Sequence, residues 1–178
     1  MPDGLEGTLR EMIDFAALQE FVYSNRIVDS TIHGLSHWRQ VEFNGLRLAP
    51  ITGADVMVVR LFALFHDCKR EDDGYDGEHG ERGAEFAKQC CEEKLLDITQ
   101  EQFEKLYHAC KFHTKERSTG DATIDTCYDA DRLDLGRVGF ELNPHKMATA
   151  AGAKIARKSL TAGVDVYEMR EWLKTVMP

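Results

Sequence analysis

At 178 residues the chain is long enough for one compact domain with a buried core and short for two. Hydrophobic residues at 43% and charged residues at 30%, with four prolines and no Pro/Gly/Ser-rich run, describe a globular chain and exclude a long linker or low-complexity tract. The formal net charge of −9 opposes general attraction to a nucleic-acid polymer or an anionic membrane, while leaving room for a local basic pocket that takes a phosphate.

The opening stretch MPDGLEGTLREMIDF has no basic segment followed by an apolar run, so neither a secretion leader nor a membrane span is expected. Thr8-Leu9-Arg10-Glu11 reads as a capping box, and Leu9, Met12, Ile13, Ala16, Ala17 and Leu18 recur at helical spacing, predicting a first helix that runs to about Tyr23. A second helical pattern follows Gly34, carries His37, Val41 and Leu46, and meets the breakers Pro50 and Gly53. Asp55 can cap VMVVRLFALFHD, whose nearly all-round apolarity marks a central buried helix. The charged stretch from Cys68 to Glu78, with Gly74 and Gly77, predicts a loop directly after His66-Asp67, and GERGAEFAKQCCEEKLL resumes helical periodicity.

Thr99-Gln100-Glu101-Gln102 forms a second capping-box pattern ahead of QFEKLYHACKFHT, and ATIDTCYDADRLDL is a further helical segment. Pro144 stands near a helix start, MATAAGAKIARKSL follows, and Asp165 to Glu168 open a short amphipathic C-terminal helix. With six to eight helices, no strand alternation and no heptads, the expected fold is all-α: a single-domain helical assembly over residues 1–178.

His66-Asp67 closes the most apolar helix of the chain, a costly place for an ionised carboxylate unless a cation or a strong donor compensates it. Imidazole nitrogen with carboxylate oxygen suits a divalent ion such as Mn²⁺, Fe²⁺, Co²⁺, Ni²⁺ or Zn²⁺. His37 upstream and Asp131 downstream, on separate helices, can complete a four-ligand set if those helices pack as a bundle. For a bare His-Asp dipeptide the ordinary reading is a helix cap beside a solvated acid, with Asp131 on an exposed acidic face. The five cysteines, Cys68, Cys90, Cys91, Cys110 and Cys127, are odd in number and lack CxxC spacing, which favours a reducing cytoplasm over a disulfide framework or zinc ribbon. Cys68 has no recognisable activating partner and reads as an inert buried thiol, and Trp38 and Tyr128 read as packing residues.

HGLSHWRQV, LFALFHDCKREDDGYDGEHGERGAEFA, KFHT and YDADRLDLGRVG, in that order from about His33 to Gly139, resemble successive motifs of the HD-superfamily phosphohydrolases. The resemblance implies His37, His66, Asp67 and Asp131 as metal ligands, with His37 standing four residues before the small apolar Val41 and Asp131 preferred to Asp129 or Asp134. Binuclear members add two histidines between the His-Asp pair and the last Asp, a pattern that His79 and His113 match, with the Asp67 carboxylate then bridging two ions; His108 and His145 are left as packed or capping imidazoles. Arg70 or Lys69, and more weakly Arg132, would face the phosphate, and His33 would contact substrate from one turn before His37. Among Glu71, Asp72 and Asp73, the preferred group to position the attacking water is Asp73.

The expected activity is metal-assisted hydrolysis of a phosphate ester or anhydride, with a small nucleotide as the leading substrate class and Mg²⁺ among the usable ions. Two rivals use the same residues: a closed, metal-stabilised binding or sensing module, and a di-iron oxygenase. Substrate, metal identity and oligomeric state lie beyond the reach of the sequence.

Overall fold

The computed structural model describes residues 13–177, which form eight α-helices, three short 3₁₀ turns and no strand. The helices are α1 (Phe15–Ser24), α2 (Leu35–Thr52), α3 (Val56–Phe65), α4 (His79–Glu92), α5 (Gln100–Phe112), α6 (Ala122–Arg132), α7 (Ala150–Ala162) and α8 (Met169–Val176). The all-α expectation is met. No helix among the described residues is long and apolar enough to cross a membrane.

Several starts follow from capping chemistry. Asp55 accepts the Met57 and Val58 amides to open α3, and Thr99 with Gln102 closes a reciprocal capping box on α5. The expected Thr8–Glu11 box, with Leu9 and Met12, lies outside the described residues. Among the described residues the first helix begins at Phe15, where the Asp14 carboxylate accepts the Ala16 and Ala17 amides from an extended backbone, which leaves Ile13 ahead of the helix. Pro50 does not end α2: it sits in the last turn on the exposed face, where water can satisfy the Leu46 carbonyl it leaves without a donor, and the chain turns at Gly53 with φ of 79°. Pro144 opens only a 3₁₀ turn, Pro144–Lys146, with α7 starting after the Thr149 cap.

Helix α3 is the axis of the main core. Val58, Val59, Leu61, Phe62, Ala63, Leu64 and Phe65 are all buried, as all-round apolarity demands, and α2, α5 and α6 pack round it. Fully burying each Val, Leu or Phe side chain is worth roughly 1.5–3 kcal/mol, so this helix anchors the assembly. Trp38 and Tyr128 are packed in the same core. A second apolar cluster, including Leu48, Leu133, Leu142, Ile155 and Leu173, joins the end of α2 to α7 and α8.

Close approach of α4 depends on two glycines one turn apart. A Cβ at Gly80 would lie 2.3 Å from the Cys110 carbonyl oxygen, and one at Gly83 would lie 2.2 Å from that of Phe65. Without side chains there, α4 settles against the C-terminal ends of both α3 and α5.

Candidate metal centre

Helix ends deliver the polar groups of the core. His37 lies in the first turn of α2, His66 caps the C-terminus of α3 with Asp67 next to it, His79 begins α4, His113 caps α5, and Asp131 sits at the end of α6. Packing of five helices therefore brings together six side chains spread from residue 37 to residue 131.

They form two imidazole pairs astride one carboxylate. His37 and His66 face each other with Nε2 atoms 3.0 Å apart, and His79 and His113 with Nε2 atoms 3.1 Å apart. Asp67 turns Oδ2 to the first pair, 3.5 Å from His37 Nε2 and 3.6 Å from His66 Nε2. Its Oδ1 faces the second, 3.2 Å from His79 Nε2 and 3.8 Å from His113 Nε2. The donor atoms of His37, His66 and Asp67, and separately those of Asp67, His79 and His113, lie within 4.8 Å of one another. Asp131 joins the first group through Oδ1, 3.2 Å from His37 Nε2 and 3.9 Å from His66 Nε2.

The tautomers decide whether this donor set suits a cation. His66 Nδ1 donates to the Phe62 carbonyl at 3.1 Å, His113 Nδ1 to that of Cys110 at 2.7 Å, His79 Nδ1 to that of Asp76, and His37 Nδ1 to Asp134 Oδ2 at 2.8 Å. With every Nδ1 carrying the proton, each Nε2 presents a lone pair to the interior. Two facing lone pairs about 3 Å apart, beside buried carboxylates, repel unless positive charge lies between them, and a divalent ion meets that requirement.

Electrostatics agree with that fit at His66, Asp67 and Asp131. Burial pushes the His66 imidazole down to about 3, against the pull of Asp67 and Asp131, so it stays neutral and able to ligate. For His37 burial again pulls downward, but hydrogen bonds with Asp131 and Asp134 outweigh it and hold the group above its usual value. Burial would raise Asp67 and Asp131; the surrounding imidazoles overcome it and hold both carboxylates below the usual range. The carboxylates thus stay anionic and call for positive charge.

The three acids around the end of α6 have separate tasks. Asp129 accepts from the Ala148 and Thr149 amides and the Thr149 hydroxyl, tying α6 to the start of α7. Asp134 accepts from His37 and from Arg170. Of the three, Asp131 is the one that turns an oxygen to the Nε2 atoms of the first pair.

The cluster is nearly sealed from solvent, and the residues round it with most exposure are Asp131, Arg70 and His33. The side chains of His37, His66, Asp67, His79 and His113 are at most 4% exposed, whereas Asp131 is 15% and the neighbouring Arg70 and His33 are 11% and 10%. Arg70 stands beside Asp67, with Nε 4.0 Å from its Oδ1. This Nε is the one buried side-chain nitrogen or oxygen among the described residues with no hydrogen-bond partner. His33 Nδ1 lies 3.0 Å from Asp67 Oδ2, and Arg137 Nη2 approaches the same His33 nitrogen at 3.4 Å.

Three expected residues are not brought to the cluster. Lys69 donates to the Asn25 carbonyl and rests its ammonium over the Phe86 ring. Arg132 donates to the carbonyls of Arg117, Lys146 and Glu116, which fills its guanidinium with main-chain work. Asp73 is exposed and accepts from the Ser30 hydroxyl, whose oxygen in turn accepts from the amides of Ile32 and His33, so it braces the loop carrying His33. Sequence reasoning missed Arg137, Arg170 and the orienting part played by Asp134. The spacing of Asp131 and Asp134 hinted that both face one way, but nothing in the sequence joins Arg170 to them. It also missed Arg82, which donates to Asp76 and to the Lys69 carbonyl and so latches the loop over residues 69–76.

Comparison with known proteins agrees with this geometry. Residues 34–137 match the model of the HD domain family. The crystal structure of a predicted HD superfamily hydrolase from an uncultured Thermotogales bacterium superposes with a TM-score of 0.65 at 24% identity, over 89% of this chain and 91% of that one. At that identity the likeness speaks for the fold. No curated protein matches the chain.

Proposed function

The chain belongs to the HD domain family, and from that premise we propose that it is a metal-dependent phosphohydrolase acting on a small phosphate ester or anhydride, with a nucleotide as the leading substrate class. The reading has His37, His66, Asp67 and Asp131 hold one divalent ion, and Asp67, His79 and His113 a second. One observation carries it: two pairs of Nε2 lone pairs converge on opposite oxygens of a single buried carboxylate, beside a buried guanidinium nitrogen that has no partner.

Imidazole and carboxylate donors favour a first-row ion such as Mn²⁺, Fe²⁺, Co²⁺, Ni²⁺ or Zn²⁺ over Mg²⁺, whose preferred ligands are all oxygen. When bound, such an ion polarises a phosphoryl oxygen and lowers the pKa of its water to about 7. The chain's own groups do the rest. Asp67 holds the two halves of the centre in register. Asp131, at the solvent side, leaves an approach for water and substrate beside it. Arg70 directs Nε–H at the position of a phosphoryl oxygen, where its fixed charge opposes the charge that grows as the bond to phosphorus breaks. His33, hydrogen-bonded to Asp67 and 10% exposed, is in this reading the imidazole beside the centre that is free of the ions and available to substrate.

The partial exposure of Asp131 argues against a closed structural ion, and the unpartnered Arg70 nitrogen favours a phosphate over dioxygen. A panel of phosphomonoesters and nucleotides, assayed with the metal-stripped protein and after addition of each ion, tests the proposal. Ion-dependent release of phosphate is the expected result. Absence of any release together with oxygen consumption by the iron-loaded form would replace it with the oxygenase reading.

A further inference from the structure

Among the four imidazoles that turn inward, His66, His79 and His113 donate Nδ1–H to main-chain carbonyls. His37 alone donates to a carboxylate, Asp134 Oδ2 at 2.8 Å. Asp134 is 1% exposed, and a buried acid in that position needs its charge answered. Arg170 answers it with both prongs of the guanidinium, Nε to Oδ1 at 2.7 Å and Nη2 to Oδ2 at 2.8 Å. The remaining nitrogen, Nη1, donates to the hydroxyl of Ser36 at 2.7 Å, next to His37 in α2. Arg170 belongs to α8, beyond residues 34–137 that match the family model.

A bidentate pair fixes the plane of the carboxylate as well as its charge. Asp134 therefore meets the His37 ring in one orientation, and as an acceptor it admits only the Nδ1–H tautomer. An anionic acceptor also makes the opposite ring nitrogen more electron-rich than a neutral carbonyl does. The two halves of the centre are thereby unequal: the half containing His37 is braced by an acid and a base, while His79 and His113 rely on main-chain carbonyls.

We propose that Arg170 is a positioning residue, acting through Asp134 to hold His37 with Nε2 turned into the centre, so that α8 sets the affinity of the His37 side for a divalent cation. The inference rests on reading the cluster as a metal site. It makes the C-terminal helix part of the centre and predicts stepwise loading, with the His37 side filling before the His79/His113 side.

The experiment uses the full chain with Arg170→Ala, Arg170→Lys and Asp134→Asn. Long-range ¹H–¹⁵N spectra of the metal-free protein read the His37 tautomer, identified by its loss in His37→Gln, and a Co²⁺ titration reads the two loading steps. At a pH alkaline enough for the ring to be neutral, His37 of the unsubstituted protein is expected as a single Nδ1–H tautomer, and the first loading step as the tighter one. Arg170→Ala should give mixed tautomers and weaken the first step by about 10–100-fold, leaving the second step unchanged. Arg170→Lys keeps the charge without the two-pronged grip and should fall between; it carries the test if the alanine variant does not fold. Asp134→Asn, which can offer Nδ1 an N–H instead of an acceptor, should invert the tautomer. A His37 tautomer and first-step affinity that stay within about twofold in both Arg170 variants overturn the inference. Failure of the unsubstituted protein to take up Co²⁺ would defeat the metal reading instead, and the tautomer spectra would then judge the positioning role alone: no change in the Arg170 variants overturns it.

Discussion

His79 Nε2 lies 3.2 Å from Oδ1 of Asp67, the carboxylate oxygen opposite to the one that faces His37 and His66. The loop after α3 must fold back to bring them together, and the Arg82 hydrogen bonds to Asp76 and to the Lys69 carbonyl hold it there. In the two-ion reading His79 serves the second ion alone. His79→Ala and His113→Ala should each lower bound metal from about two ions per chain to about one, with the helical circular dichroism intact. Elemental analysis after dialysis measures this: about two ions retained in both variants would remove His79 and His113 from the ligand set, and about one ion in the unsubstituted protein as well would leave a mononuclear centre.

Asp67→Ala should be more severe than either histidine change. It removes the bridge and leaves two sets of facing lone pairs with less charge to balance a cation, so both ions and all hydrolysis should be lost. Chelation of the unsubstituted protein should likewise lower its Tm, because an ion bound only by the folded state contributes stability that grows with the logarithm of its free concentration. Full activity in Asp67→Ala would refute the ligand set.

Arg70→Ala separates charge stabilisation from metal binding. Its guanidinium borders the centre, with Nη1 3.3 Å from His79 Nδ1 and Nε 4.0 Å from Asp67 Oδ1, but it offers no ligand atom, so metal content should be retained, while turnover of a phosphate ester should fall by on the order of 10²-fold. Arg70→Lys should restore only part of the loss, since an ammonium cannot reproduce the planar donor at the Nε position. Steady-state kinetics at saturating metal decide the matter, and unchanged kcat/KM would reduce Arg70 to a packing role.

The starts of α3 and α5 could be read in advance because local chemistry determines them: Asp55 and Thr99 bond amides two or three residues away. The cluster of His37, His66, Asp67, His79, His113 and Asp131 was legible through the resemblance of the ordered motifs to the HD superfamily; the residue types alone read equally as helix caps and solvated acids. Residues whose tasks depend on distant partners were not legible. Lys69 and Arg132 have the right charge and sit beside the right residues in the chain, yet a carbonyl from α1's end claims one and three carbonyls claim the other. Arg170 could not be found at all, because its partner Asp134 lies in another part of the chain and meets it only through packing of α8 on the second apolar cluster.

Gly83 ties the packing of α4 on α3 to the centre and yields a stability prediction. Its α-carbon faces the Phe65 carbonyl oxygen, 2.2 Å from where a Cβ would sit, and the obstacle is backbone at the end of the most buried helix. Gly83→Ala gains about 1 kcal/mol in intrinsic helix propensity. The clash with backbone, which cannot swing aside as a flexible side chain would, should cost more than that, at roughly 1–3 kcal/mol or above. The net effect is a lower Tm, by about 2–4 °C per kcal/mol for a chain of this size. Displacing α4 from α3 also carries His79 away from Asp67, so the second metal-binding step should weaken while the first changes little. Thermal unfolding of the metal-free protein and a metal titration on the same variant test both parts, and a raised Tm with unchanged binding would show that α4 does not need this close approach.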